Sequence, residues 1–142
     1  MLAVNFDEPG GPEVLKLIET DTPKINEDEV LIKVVSAGVN RPDIIQRQGN
    51  YPAPQGHSKI LGLEVSGIIE KVGRNIKKFL VGDKVGALVN GGGYAEFCKA
   101  NENSVFHIPK NISFDEAACI PECFFTAWSN IIMRGNLKKL AK

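Results

Sequence analysis

From Met1 to Pro109 the chain is cut into short apolar runs, each closed by Gly, Pro or a polar turn. The runs are Leu2–Phe6, Val14–Ile18, Glu29–Val35, Glu64–Val72, Lys84–Val89, Tyr94–Lys99 and Ser104–Ile108. Their breakers are Asp7-Glu8-Pro9-Gly10-Gly11-Pro12, Pro23, Gly73, Gly82-Asp83, Gly91-Gly92-Gly93 and Pro109. In the run from Glu29, Val30, Ile32 and Val34 alternate with Leu31, Lys33 and Val35, the period of a strand with at least one buried face. Many short strands set off by Gly and Pro predict an antiparallel or mixed, barrel-like β core.

Helix signals occur twice. Asn40 can cap a short helix with Pro42 and Asp43 in its first turn and Gly49 at its exit. Ser113-Phe114-Asp115-Glu116 is a capping box, with Ser113 as N-cap and Glu116 at N3. Pro121 then breaks or restarts the helix, and Phe124, Phe125, Trp128, Ile131 and Ile132 form an apolar face running to Gly135. The polar tail Asn136–Lys142 reads as a linker or a fraying end. The fold class is therefore mainly β with short helices (α+β).

Composition removes several functions. Seventeen basic and seventeen acidic residues give zero formal charge, so there is no cationic excess for a nucleic acid or an anionic bilayer. No apolar run approaches the roughly 20 residues of a membrane span, and no charged segment leads into an apolar one as in a secretory signal. Three cysteines make no disulfide framework, and a reducing cytoplasm is the expected setting.

Candidate chemistry narrows in the same way. Cys119 and Cys123 flank Pro121 without a second ligand pair, and His57 and His107 stand alone, so no tetrahedral metal site is expected. Gly91, Gly93 and Glu96 do not complete G-x-G-x-x-G, and no strand–turn–helix surrounds them. A tight turn or a close backbone approach explains the triplet. No nucleophile elbow is present. What remains is a polar cluster: Asn40-Arg41-Pro42-Asp43, then Gln46, Arg47 and Tyr51. Each member has a plain alternative. Asn40 is explained as a helix cap and Tyr51 as an amphipathic packing residue. Thr126, inside the apolar helix, is explained as a back-bonded hydroxyl.

Taken together, Met1-Leu2-Ala3-Val4, Gly10-Gly11-Pro12-Glu13, the stretch Ala37–Asp43 continuing to Gln46–Gly49 and Tyr51, Leu61–Gly67 with Gly73, Gly82–Val85, and Ile120-Pro121-Glu122 with Thr126-Ala127 resemble a known family. It is the zinc-independent quinone oxidoreductases of the medium-chain dehydrogenase/reductase superfamily, in particular the p53-inducible type. The resemblance implies a GroES-like, partly open β-barrel at residues 1–120, then a helix and linker at 121–142 leading towards a Rossmann domain. Zinc-dependent members carry Cys where Asn40 stands and His where Leu63 stands; neither ligand is here, nor is the four-cysteine lobe after the Gly91 region. The resemblance therefore implies hydride transfer from NADPH to a small-molecule quinone without zinc. It places Thr126 at the nicotinamide carboxamide, Tyr51 at the quinone, and Asn40 with Arg41 at the cofactor ribose or its loop. Full-length relatives are implied to be homodimers; this chain, without the cofactor half and the returning C-terminal strands, is expected to be monomeric and to turn over little or not at all. Reduction of an activated alkene uses the same hydride geometry. The competing readings are a GroES-like binding module with no catalysis and a shortened, inactive remnant.

Overall fold

The apolar alternation that begins at Glu29 and the apolar run from Glu64 pair with each other at the centre of the protein. The computed structural model describes residues 1–137. In it β3 (Glu29–Ala37) lies antiparallel to β4 (Glu64–Val72), and β5 (Lys84–Leu88), β6 (Phe97–Asn101) and β7 (Val105–His107) complete a five-stranded sheet in the order β6-β3-β4-β5-β7. A separate hairpin pairs β1 (Leu2–Asn5) with β2 (Lys16–Glu19). The large sheet is curled into a half-barrel, the mainly-β architecture with short helices that the sequence predicts. Val30, Ile32, Val65, Ile69, Val85, Ala87, Cys98 and Ala100 face inward and, with Phe79 and Val89, form one buried cluster. Gly67 sits where a Cβ would run into the Lys33 carbonyl, so only glycine lets β3 and β4 close beside the register shift between Val34 and Ser36.

Several boundaries differ from expectation. The second strand starts at Lys16 because Pro12 opens a 3₁₀ turn over Pro12–Val14. The run from Tyr94 becomes part of the sheet only at Phe97. Its first residues are shared with the hairpin: Val4 N–H donates to the Tyr94 carbonyl, Glu96 N–H to the Leu2 carbonyl, and Ala3 bridges Ala95, while the Glu96 carbonyl accepts the Val34 N–H of β3. A 3₁₀ turn, Glu102–Ser104, capped by Asn101, delays β7 to Val105. The Gly91 triplet is the close approach anticipated for it: Gly92 and Gly93 N–H donate to the Ile60 and Gly62 carbonyls, and a Cβ on Gly91 would meet the Ser58 carbonyl.

Both helices form where their caps stand. Helix α1 (Arg41–Arg47) starts at Asn40 and is left through Gly49 at φ +82°. Helix α2 (Phe114–Ala118) has Ser113 and Glu116 capping each other, and its Phe114 carbonyl accepts the buried Ser66 hydroxyl of β4 at 2.6 Å. The chain restarts at Pro121 as π-type helix, Pro121–Phe125 and Trp128–Arg134. Only one edge of this terminal helix reaches the sheet, through buried Pro121 and through Phe125 packed edge-on to Phe106. Phe124, Trp128, Ile131 and Met133 are each more than half exposed. Of the tail, residues 138–142 lie outside the described residues.

Candidate active site

The site is built around two buried carboxylates, Asp43 and Glu64, which with Ser66 are the buried polar side chains among the described residues. A carboxylate leaving water must be met by donors on both oxygens. Asp43, in the first turn of α1, accepts from the Asn40 N–H at 2.9 Å and the Tyr94 hydroxyl at 3.1 Å on one oxygen, and from the Gly62 N–H at 3.0 Å on the other. It thereby fastens α1, the Leu61–Leu63 segment and the strand-entry residue Tyr94 to one point. Gly62 can turn there because its φ is +98°, and a Cβ on it would meet the Tyr94 ring at 2.6 Å.

Glu64 opens β4. Its Oε1 accepts from Asn40 Nδ2 at 2.8 Å, and its Oε2 from the Glu122 N–H, at the start of the terminal helix, at 2.9 Å. One turn on, the Thr126 hydroxyl donates to the Glu122 carbonyl at 2.5 Å. Asn40, Glu64, Glu122 and Thr126 thus form a continuous hydrogen-bonded chain from the β3–α1 loop to the terminal helix.

The surrounding charges act on two neighbours. Burial, followed by the Glu64 and Asp43 charges, raises the carboxyl pKa of Glu122 above the ordinary carboxylate value. Tyr94 is raised well above the usual phenol range by burial first and by Asp43 second, so its hydroxyl remains a donor.

Of the four residues singled out from the sequence, the structure joins Asn40 and Thr126 through Glu64 and Glu122. The Thr126 hydroxyl is also the back-bonded one that chemistry alone suggests. Arg41 and Tyr51 are exposed and have no side-chain hydrogen bond among the described residues. Glu64 and Glu122 were not among the sequence candidates. The available signal for Glu64 was a single acid inside the apolar run from Leu61 to Ile69, a placement that requires a dedicated partner. Two hollows are lined by other residues. One cavity of about 380 Å³ runs past Ile60, Val89, Phe97 and Cys98, and an apolar hollow of about 490 Å³ lies along Phe124, Phe125, Trp128 and Met133.

Asn40 presents its amide nitrogen to Glu64 and Leu63 offers only carbon. Among the described residues no three His, Cys, Asp or Glu side chains converge as metal ligands.

A curled antiparallel half-barrel in which Asn-Arg-Pro-Asp leads from β3 into α1 and Gly-Leu leads into Glu64 at the start of β4 defines a class. Residues 26–110 match the alcohol dehydrogenase GroES-like domain, and the chain belongs to that family. Within it, the chain is 39% identical over 134 residues to human quinone oxidoreductase, covering 93% of this chain and 41% of that relative. The crystal structure of human synaptic vesicle membrane protein VAT-1 homolog-like protein superposes with a TM-score of 0.87 at 35% identity, over 98% of this chain and 45% of that one. A mycobacterial protein solved in complex with NADPH superposes at 0.85 with 31% identity, over 98% and 43%. The chain spans less than half the length of these relatives. None of its described helices is long and apolar enough to cross a membrane.

Proposed function

We propose that this domain is the substrate-side half of an NADPH-dependent oxidoreductase that reduces quinones without a metal. The observation that carries the reading is the donor set of the Asn40–Leu63–Glu64 corner. In a GroES-like frame the corner holds an amide, an aliphatic side chain and a carboxylate already engaged by two donors. That arrangement can position a ligand but cannot act as a Lewis acid. The identity to quinone oxidoreductases and the likeness to a protein solved with NADPH support the acceptor and the cofactor.

When bound, NADPH supplies the hydride, and the protein's task is placement, since donor carbon and acceptor must approach to roughly 3–3.5 Å. Thr126, exposed on the terminal helix with its hydroxyl hydrogen engaged by the Glu122 carbonyl, offers its hydroxyl oxygen as an acceptor to the nicotinamide carboxamide. Asn40 and Arg41, at the N-terminus of α1, face the ribose. Tyr51, half exposed on the loop after α1, supplies a ring that stacks on or orients the quinone. Residues 1–120 form the catalytic unit; 121–142 connect to a nucleotide-binding domain that grips the phosphates. Under this reading the 142-residue chain alone turns over little.

The test replaces the matched stretch of human quinone oxidoreductase with this chain and follows NADPH consumption with simple ortho- and para-quinones and with an enoyl acceptor. Quinone reduction that is insensitive to a chelator and falls in Thr126→Ala and Tyr51→Ala is the expected result. A folded, NADPH-binding chimera that reduces no quinone would overturn the reading. Unchanged rates in the two variants would remove those residues from the site, and rapid turnover by the 142 residues alone would refute the division of labour.

A further inference from the structure

We propose that Glu64 is the positioning residue of this site: its carboxylate is a two-sided clamp that holds the Asn40 loop and the terminal helix at a fixed separation. The functional meaning of that separation rests on the reading above; the clamp itself does not. Glu64 is 3% exposed and contributes both of its oxygens, one to each body, at 2.8 and 2.9 Å. The backbone has been shaped around it. Gly38, which donates its N–H to the Glu64 carbonyl at 3.2 Å, lies where any Cβ would strike the Glu64 carboxylate. The terminal helix needs such a fastening because most of its apolar side chains are exposed and Pro121 and Phe125 supply its main packing contacts to the sheet. Its first free N–H groups are strong donors with no partner inside the helix, and Glu64 satisfies that of Glu122. Asn40 is suited to the other side because an amide nitrogen can only donate to a carboxylate.

This polarity gives a test by exchange of partners. Asn40→Asp sets two carboxylates against each other where one donor bond was, and must displace Glu64 from Glu122. Adding Glu64→Gln restores the pattern in mirror image: the amide introduced at position 64 donates to the carboxylate introduced at position 40, while its oxygen accepts the Glu122 N–H. Glu64→Met removes both acceptors at similar volume. The readouts are hydrogen exchange at the Glu122 backbone amide, well below the melting transition, and the fluorescence anisotropy of Trp128, the single tryptophan. Loss of a bond to a charged group predicts exchange about tenfold faster or more in Asn40→Asp and in Glu64→Met, with lower Trp128 anisotropy. The double variant should return to within about threefold of the parent, on the same scale.

Unchanged Glu122 exchange in Glu64→Met overturns the clamp. So does a double variant that exchanges as fast as Asn40→Asp or fails to fold while Asn40→Asp folds. If Glu64→Met does not fold, the Asn40→Asp pair decides alone. None of these measurements uses NADPH or a quinone. A clamp that holds while the chimera reduces nothing leaves the clamp standing and removes the proposed reaction.

Discussion

Replacing Asp43 by Asn removes one charge and one acceptor from the most heavily engaged side chain of the site. Three donors converge on Asp43: two backbone N–H groups, from Asn40 and Gly62, and the Tyr94 hydroxyl. An asparagine oxygen can keep the Asn40 and Tyr94 pair, in which case the new NH₂ points at the Gly62 N–H. Alternatively it can keep Gly62, with the NH₂ donating to the Tyr94 oxygen and the Tyr94 hydrogen turning to the Gly38 carbonyl, 3.3 Å away. Either way one backbone N–H is orphaned, at a cost of about 1–3 kcal/mol, and the surviving bonds lose their charge assistance, about 1 kcal/mol more. The sum is about 2–4 kcal/mol. For a domain of this size that corresponds to a fall in Tm of roughly 6–12 °C, read by thermal and urea unfolding followed by circular dichroism. Asp21→Asn, on an exposed loop, is the control and should stay within about 0.5 kcal/mol. An Asp43→Asn loss below about 1 kcal/mol would refute the view that one carboxylate fastens α1, the Gly62 turn and Tyr94.

Other consequences are independent of that one. Gly38→Ala forces a Cβ into the Glu64 carboxylate and should cost about 1–3 kcal/mol by overpacking, read as a lower urea midpoint. Cys119 and Cys123 are exposed, whereas Cys98 is buried with its thiol pKa pushed up to about 12 by desolvation. A thiol reagent at neutral pH should therefore modify two cysteines in the folded protein and the third only on unfolding. Glu122 has its pKa raised by folding, so it favours the folded state below the ordinary carboxylate value and loses that contribution as pH rises through the raised one. Glu122→Gln should accordingly gain stability over the parent at neutral pH and show no gain at pH values below the carboxylate range, measured as Tm across pH.

The fold was legible because backbone pairing repeats a local signal many times. The alternation at Val30, Ile32 and Val34 and the Ser113–Glu116 cap each specify geometry within a few residues. The late start of β6 has a non-local cause. Tyr94, Ala95 and Glu96 have strand composition, but part of their backbone pairing goes to Val4, Ala3 and Leu2, 90 or more positions earlier in the chain. No local pattern reveals which of two sheets will claim a run of that kind.

The site was legible only in part, for a related reason. Asn40 and Thr126 are 86 positions apart in sequence, and side-chain type alone explains each of them as a cap or a back-bonded hydroxyl. What makes them a pair is Glu64, whose two oxygens are spent on different elements. An acid in an apolar run signals that partners must exist but not which ones, because its donors are supplied by tertiary structure: one a side-chain amide, the other a backbone N–H with no sequence signature. Exposed residues such as Arg41 and Tyr51 show the opposite limit. Their composition suggests binding, but no hydrogen-bond partner among the described residues fixes their side chains. What the structure fixes is the Asn40 amide, held by Glu64, whereas Tyr51 has no such partner among the described residues; under the proposed function, one side of the ligand would meet a side chain already oriented and the other would orient Tyr51 itself.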